Sequence, residues 1–123
     1  MPIRRTLASA ERLATITAEG VCTLEDLEAM FDALVVADAS GWRKLFDARS
    51  GEAKGTEHDL MMLGARMRAY AEVLSHGPLA IVVSTPFLHE LALRYLNLAR
   101  AERPAEVFET PESAGIWLAS FPK

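Results

Sequence analysis

Hydrophobic positions in this chain recur first at every second residue and later at helical spacing, which is the main structural signal in the sequence. Residues 3–8 and 12–19 follow the two-residue period, as in Ala14 and Ile16 with threonines on either side. Because only residues 9–11 join these segments, they can pair only as an antiparallel hairpin. The sequence therefore predicts that the fold begins with two paired strands.

Four later segments have the period of an amphipathic helix, and each starts at a residue suited to a first helical turn. Gly41 is expected to end the first helix in a left-handed conformation. Gly77-Pro78 is expected to end the second, because proline cannot continue a helix. In chain order, the helix starts are predicted at Thr23, Thr56, Thr85-Pro86 and Thr110-Pro111.

Three further strands are predicted at residues 43–48, 79–83 and 106–109. The second of them, LAIVV, is apolar at every position, as expected of a central strand covered on both faces. The predicted order is ββαβαβαβα, in a single domain over residues 1–123. Alternating strands and helices with short connections indicate an α/β fold. We expect a five-stranded, mostly parallel sheet with an N-terminal antiparallel hairpin and four helices.

Composition and charge narrow the class of protein. The chain has 123 residues and a net charge of −4, which argues against a nucleic-acid or anionic-membrane surface, since both need clustered Lys and Arg. Its apolar stretches are far shorter than the ~20 residues of a spanning helix. Cys22 is the only cysteine, so no internal disulfide can form. These features predict a soluble, cytoplasmic protein.

Four segments together resemble the SpoIIAA-like family, a group of STAS-like (anti-sigma-factor-antagonist-like) domains. They are EGVCTLEDLEAMFDAL, WRKLFDARSG, GPLAIVVS and AEVFETPESAGIWL, and the resemblance extends over essentially the whole chain. It implies a small cytoplasmic domain that binds a protein partner. In some STAS domains, phosphorylation of a Ser or Thr at the start of the second helix switches that binding.

Thr56 lies where this switch hydroxyl would fall. Lys54 and Gly55 stand before it instead of an Asp-Ser-Ser-Gly-like element, and a structural N-cap explains Thr56 equally well. Some relatives are also similar to CRAL-TRIO lipid-transfer domains, which implies an apolar ligand as an alternative.

Polar side chains are expected at the carboxyl ends of the parallel strands, where ligands of such sheets usually bind. Helix N-termini at the same edge provide amide donors for a carboxylate or phosphate. Helix capping and loop solvation account for the same residue types. The candidate binding residues are Asp47, Arg49, Ser50, Thr56, His58, Ser84 and Thr85.

A second candidate site is an apolar pocket between the second and third helices. Methionine is adaptable enough to line a pocket for variable ligands, although apolar stripes at helical spacing are also typical of core packing. The candidate lining residues are Met61, Met62, Met67, Phe87, Leu88 and Tyr95.

No complete catalytic set, metal motif or cofactor motif is found in the sequence. Ser50, His58 and Asp47 have no nucleophile-elbow sequence around them, and the three histidines lack metal-ligand spacing. We therefore expect a non-enzymatic, cofactor-free module that acts through protein–protein interaction. The alternative, a carrier of an apolar small molecule, requires an enclosed apolar cavity of at least ~300 Å³. The first strand, at a sheet edge, is where a homodimer could form.

Overall fold

The computed structural model describes residues 2–53, 57–99 and 103–123. Within them it has the predicted order of five strands and four helices. The strands are β1 (Ile3–Ala8), β2 (Leu13–Cys22), β3 (Arg43–Ala53), β4 (Leu79–Val82) and β5 (Ala105–Phe108), and the helices are α1 (Leu24–Val36), α2 (Glu57–Ala71), α3 (Pro86–Ala99) and α4 (Pro111–Ala119).

The five strands form one sheet in the order β1-β2-β3-β4-β5. β1 is antiparallel to β2, and every other pair is parallel, which confirms the predicted hairpin and mostly parallel sheet. Each strand lies beside its neighbour in sequence. Successive right-handed crossovers in one direction therefore place α1, α2 and α3 on the same face.

Alternate residues of β4 separate the two faces of the sheet. Leu79 and Ile81 pack in the cluster that includes α2 and α3 residues, whereas Ala80 and Val82 pack against Leu118 of α4. All four β4 residues are buried. This confirms that the LAIVV segment is a central strand covered on both sides.

The N-terminus of α1 forms the capping box that its sequence permits. The Thr23 hydroxyl accepts a hydrogen bond from the Asp26 backbone N–H at 3.2 Å, and the Asp26 carboxylate accepts one from the Thr23 backbone N–H at 2.9 Å. Two amide groups that would otherwise lack partners are thereby satisfied.

We expect Thr23→Ala to lower the free energy of unfolding by about 1 kcal/mol, because one amide loses its side-chain acceptor. Urea denaturation of both proteins measures the difference. Thr23→Ser keeps the hydroxyl and is the matched control. Equal losses for alanine and serine would show that the cap is not what Thr23 contributes.

The C-terminus of α1 differs from the prediction at Gly41. The helix ends at Val36, and Asp38 takes the left-handed conformation with φ of 57°. The Asp38 and Ala39 amides donate to Val35 and Leu34 carbonyls at 3.0 and 2.9 Å, which is a Schellman arrangement. The Gly41 prediction is wrong because a short polar side chain tolerates this conformation three residues earlier.

The stop signal at Gly77-Pro78 also acts differently from the prediction, since α2 already ends at Ala71. Gly77 is needed for a close backbone approach instead. A Cβ atom at Gly77 would lie 2.1 Å from the Trp42 carbonyl oxygen, which no side chain can tolerate. The segment before β4 is thereby held tightly against the start of β3.

β3 is longer than the predicted 43–48 segment and continues to Ala53 alongside an extended β2. Between the Thr17–Asp47 and Glu19–Ser50 pairs, β2 advances two residues while β3 advances three, so β3 contains a bulge. The prediction of a loop at Arg49 and Ser50 is wrong because β2 supplies a hydrogen-bonding partner for this polar stretch.

Candidate functional site

A cavity of about 350 Å³ lies between the carboxyl half of the sheet and the layer formed by α1, α2 and α3. Its walls are mainly apolar. α1 contributes Leu27 and Phe31, and β3 and β4 contribute Phe46 and Ile81. α2 and α3 close the remaining sides, with residues that include Leu60, Leu63, Leu88, Leu91 and Tyr95.

Small residues leave this space open. Along β3, the side chains on the cavity face become smaller toward the carboxyl end, from Phe46 to Ala48 to Gly51. Gly51 approaches β2 so closely that an added Cβ would lie 2.9 Å from the Ala18 Cβ atom. Ala92 of α3 also lines the cavity. These small residues leave an open space between the end of β3 and the larger side chains of the helix layer.

The cavity meets solvent where its lining residues are exposed. Phe87 is 67% exposed at the start of α3, and Glu52 and Arg94 are also exposed. Asp59 is the other charged residue of the lining. The arrangement combines an apolar interior with charged groups at the rim, which suits a molecule with a large apolar part.

Cys22 lines the cavity as a buried thiol that is 7% exposed. Burial, and secondarily the charge of Asp26, raise its pKa. A thiol with a raised pKa is protonated at neutral pH and is a weak nucleophile. Its Sγ atom lies 3.8 Å from the Pro2 carbonyl oxygen and 3.6 Å from that of Gly20.

Only three of the six residues predicted to line an apolar pocket lie in the cavity lining. Phe87, Leu88 and Tyr95 line the cavity. Met67 is buried in the adjoining core, while Met61 and Met62 are 53% and 48% exposed on α2. Helical spacing agrees with this division, because Met67 continues the buried stripe of Leu60 and Leu63 whereas Met62 lies off it.

The predicted polar site residues other than Thr56 lie outside the cavity lining. The Arg49 guanidinium donates to both Asp47 carboxylate oxygens, at 3.0 and 2.9 Å, and this pairing lowers the Asp47 pKa. Asp47 follows Leu45 on the face that α4 covers, and Arg49 is close enough to Glu112 of α4 to feel its charge. This pair is therefore on the side of the sheet opposite the cavity.

The other predicted polar residues serve local structure or face solvent. The Ser84 hydroxyl donates to the Arg49 carbonyl at 3.2 Å, and the Thr85 hydroxyl caps α3 by accepting from the Leu88 amide at 3.1 Å. Ser50 and His58 are exposed. Thr56 lies outside the described residues. Binding of a ligand by this set stays a prediction.

Asp47 is already engaged by Arg49, and no recorded hydrogen bond of the described residues links it to Ser50 or His58. In the ranges 2–53, 57–99 and 103–123, no group of three or more His, Cys, Asp or Glu side chains is placed to hold a metal ion. No helix in those ranges is both long and apolar enough to cross a membrane.

A buried basic cluster, which no sequence motif indicates, is formed by the buried residues Lys44 and Tyr95 and the partly buried residues His76 and Arg103. Lys44 is 4% exposed, and its ammonium donates to the Ser40 carbonyl and, at 3.0 Å, to the Trp42 carbonyl. These residues are far apart in the sequence and share no motif. Only the pairing of β3 with β4 and the packing of α3 bring them together.

No protein-family model and no curated protein sequence matches the chain. A crystal structure of an uncharacterized protein of the DUF3478 family from Shewanella loihica PV-4, described as having a SpoIIAA-like fold, is similar to it. The two share 22% sequence identity with a TM-score of 0.64, over 94% of this chain and 93% of the other. The fold is SpoIIAA-like. The resemblance read from the four sequence segments is confirmed at the level of this SpoIIAA-like fold.

Proposed function

We propose that this SpoIIAA-like domain is a non-enzymatic binding protein that holds an apolar small molecule in the cavity. The observation that supports the proposal is the cavity itself. Its volume of about 350 Å³ falls within the range of known ligand pockets, about 300–1,000 Å³. Of the two hypotheses drawn from the sequence, the carrier is the one that required such a space.

Burial of apolar ligand surface supplies the affinity in this proposal. Each methylene group transferred from water to the cavity contributes about 0.8 kcal/mol before the costs of association. Leu27, Phe31, Phe46 and Ile81 provide contacts over the buried end. The charged residues at the rim, Glu52, Asp59 and Arg94, would add a preference for a ligand that also has a polar end.

Among the described residues that line the cavity, none is an activated nucleophile, which supports a binding role. Cys22 is the one cysteine of the chain, and burial keeps it protonated. Asp47, a candidate member of a Ser-His-Asp set, is paired with Arg49 on the opposite face of the sheet. Ligand binding, unlike catalysis, needs only the apolar side chains that line the cavity.

Filling the cavity should abolish ligand binding. We expect Ala92→Phe to weaken binding of the neutral fluorophore phenylnaphthylamine at least about tenfold, because the new ring occupies space that the ligand needs. Fluorescence titration measures the dissociation constant. Native mass spectrometry of freshly purified protein tests in parallel for a resident small molecule.

Leu93→Phe is the matched control, since Leu93 is the next residue of α3 and is 49% exposed. It should bind the fluorophore as the wild type does. Overpacking commonly costs about 1–3 kcal/mol, so the thermal unfolding midpoint of each variant must be measured as well. A wild type that binds no fluorophore, or an Ala92→Phe protein that binds it equally well, would refute the carrier role.

Protein–protein interaction is a second candidate function, supported by exposed apolar side chains. Met61 and Met62 lie at the surface of α2, and Phe87 lies exposed at the start of α3. Exposed methionines suit an adaptable protein interface. A partner that co-purifies with the wild type and is lost on Met61→Lys with Met62→Lys would favour this function. If the same variant still binds the fluorophore, partner binding and ligand binding use different surfaces, and the two functions can be tested separately.

A further inference from the structure

We propose that the buried basic cluster of Lys44, His76, Tyr95 and Arg103 is a binding site for a small oxyanion, either a carboxylate or a phosphate. This site adjoins the apolar cavity, with which it shares Tyr95, but its existence does not depend on the proposed carrier function. It lies toward the amino ends of the parallel strands.

The position of Lys44 follows from the strand register. Lys44 pairs with Ala14 of β2 and with Leu79 of β4, two residues of the core on the α1–α3 side of the sheet. Its side chain therefore enters the helix layer two residues before Phe46, which lines the cavity. Its two recorded hydrogen bonds leave one of the three ammonium donors for another acceptor.

Several polar atoms of the cluster are buried without a hydrogen-bond partner. They are both imidazole nitrogens of His76 and one terminal guanidinium nitrogen of Arg103. The Tyr95 hydroxyl also has no well-aligned partner, although Arg103 lies close enough to hydrogen-bond with it and so to oppose the rise that burial causes in its pKa. Tyr95 as a whole is 8% exposed. Buried polar groups are almost always paired in folded proteins, and leaving one unpaired costs about 1–3 kcal/mol. An acceptor placed here would satisfy the Arg103 nitrogen, the Tyr95 hydroxyl and the one protonated nitrogen of the neutral His76 ring.

The charges of the cluster repel one another. Burial, followed by the charge of Arg103, lowers the Lys44 pKa to about 7. Burial, Arg103 and Lys44 together lower the His76 pKa to about 4. Among the described residues, no carboxylate contributes to either shift, and the recorded ion pairs all lie elsewhere. An oxyanion would supply both the opposite charge and the absent acceptors.

Tyr95 connects the cluster with the cavity. It belongs to the cavity lining, and its hydroxyl lies near enough to Arg103 for the guanidinium to affect its pKa. The anion could therefore be a free ion or the acidic end of a molecule whose apolar part occupies the cavity. Both sources present the same chemistry to Lys44 and Arg103.

The test is the thermal unfolding midpoint of the full chain at pH 7 in sodium phosphate, compared with sodium chloride at equal ionic strength. We expect phosphate to raise the midpoint by about 4 °C in a saturable way. Lys44→Met and Arg103→Gln should each lose this rise. Arg5→Gln, which removes an exposed arginine of β1, should keep it and so controls for the general stabilising effect of phosphate.

A second measurement distinguishes the two sources. Dodecanoate that binds more tightly than dodecanol, with the difference lost in Arg103→Gln, assigns the anion to the acidic end of a cavity ligand. If phosphate stabilises the protein but dodecanoate and dodecanol bind equally well, the site binds a free ion. Either result supports the site, and the phosphate response can stand even where phenylnaphthylamine does not bind.

The proposal is overturned if neither phosphate nor dodecanoate has an effect that depends on Lys44 or Arg103. It is equally overturned if the wild type is insensitive but Glu102→Gln becomes sensitive to phosphate. That result would assign the balancing charge to a carboxylate of the chain itself, at a position outside the described residues. If Lys44→Met fails to fold, Arg103→Gln alone carries the comparison.

Discussion

Replacing Gly77 with alanine should lower the free energy of unfolding by about 3–5 kcal/mol, one of the largest effects expected of any single methyl group in this protein. The added Cβ would lie 2.1 Å from the Trp42 carbonyl oxygen and 2.5 Å from that of Gly41. Backbone bonds fix both segments, since the Gly77 amide donates to Ser40 at 3.0 Å and the Lys44 amide donates to Pro78 at 2.8 Å. Relief of the clash must therefore separate the start of β4 from β3.

Gly41→Ala is the matched control for this prediction. A Cβ at Gly41 would have no heavy atom within 4 Å, and its backbone conformation is not left-handed. Urea denaturation of the three proteins should show a large loss for Gly77→Ala and little change for Gly41→Ala. A loss below about 1 kcal/mol at Gly77 would mean that the two segments separate easily.

The second large effect concerns Lys44 and pH. In the folded protein its pKa is lowered to about 7 from 10.5, so between these values the unfolded chain binds more protons than the folded one. Stability should therefore rise as the pH increases above 7. Over the full window the shift corresponds to an effect on the order of 5 kcal/mol, with the whole penalty present below pH 7.

Lys44→Met should remove this slope and stabilise the protein by about 1–3 kcal/mol at pH 7, because a buried charge is replaced by an apolar side chain. The gain is smaller than the penalty, since the Trp42 carbonyl loses its 3.0 Å hydrogen bond. Urea denaturation in chloride buffers from pH 7 to 9 measures both effects. This range avoids the titration of Tyr95, whose folded pKa of about 12 makes stability fall above pH 10.

Lys123→Met is the control for the change of residue type, because Lys123 is exposed at the C-terminus. It should retain the wild-type slope between pH 7 and 9. If the wild type shows no such slope while it is free of bound anions, Lys44 is neutralised by a partner in the chain and the buried-charge account fails.

The order of elements was predictable because each carries a local signal. The alternation of β2, the apolar run of β4 and the threonines before α1 and α4 act within a few residues. The errors arose where distant segments decide the outcome. Residues Arg49 to Ala53 extend β3 because β2 lies beside them, and Asp38 takes the left-handed turn assigned to Gly41.

The site was less predictable for a related reason. Phe87, Leu88 and Tyr95 have the spacing of an apolar helix face, but the cavity itself depends on small residues at Ala48 and Gly51 of a different element. The sequence showed that these residues are small without showing that they face α3. Lys44 similarly reads as one half of a surface Arg-Lys pair until the register with Leu79 places it in the core.

The sequential strand order has a consequence for how the molecule is assembled. Every strand after the first is laid beside the segment synthesised just before it, so no gap in the sheet waits for a later part of the chain. Interleaved sheets, by contrast, leave a central strand edge unpaired during translation, where it can recruit other chains. Here the growing edge is always the most recent strand. α4, which follows all five strands in the sequence, covers the second face over β3, β4 and β5.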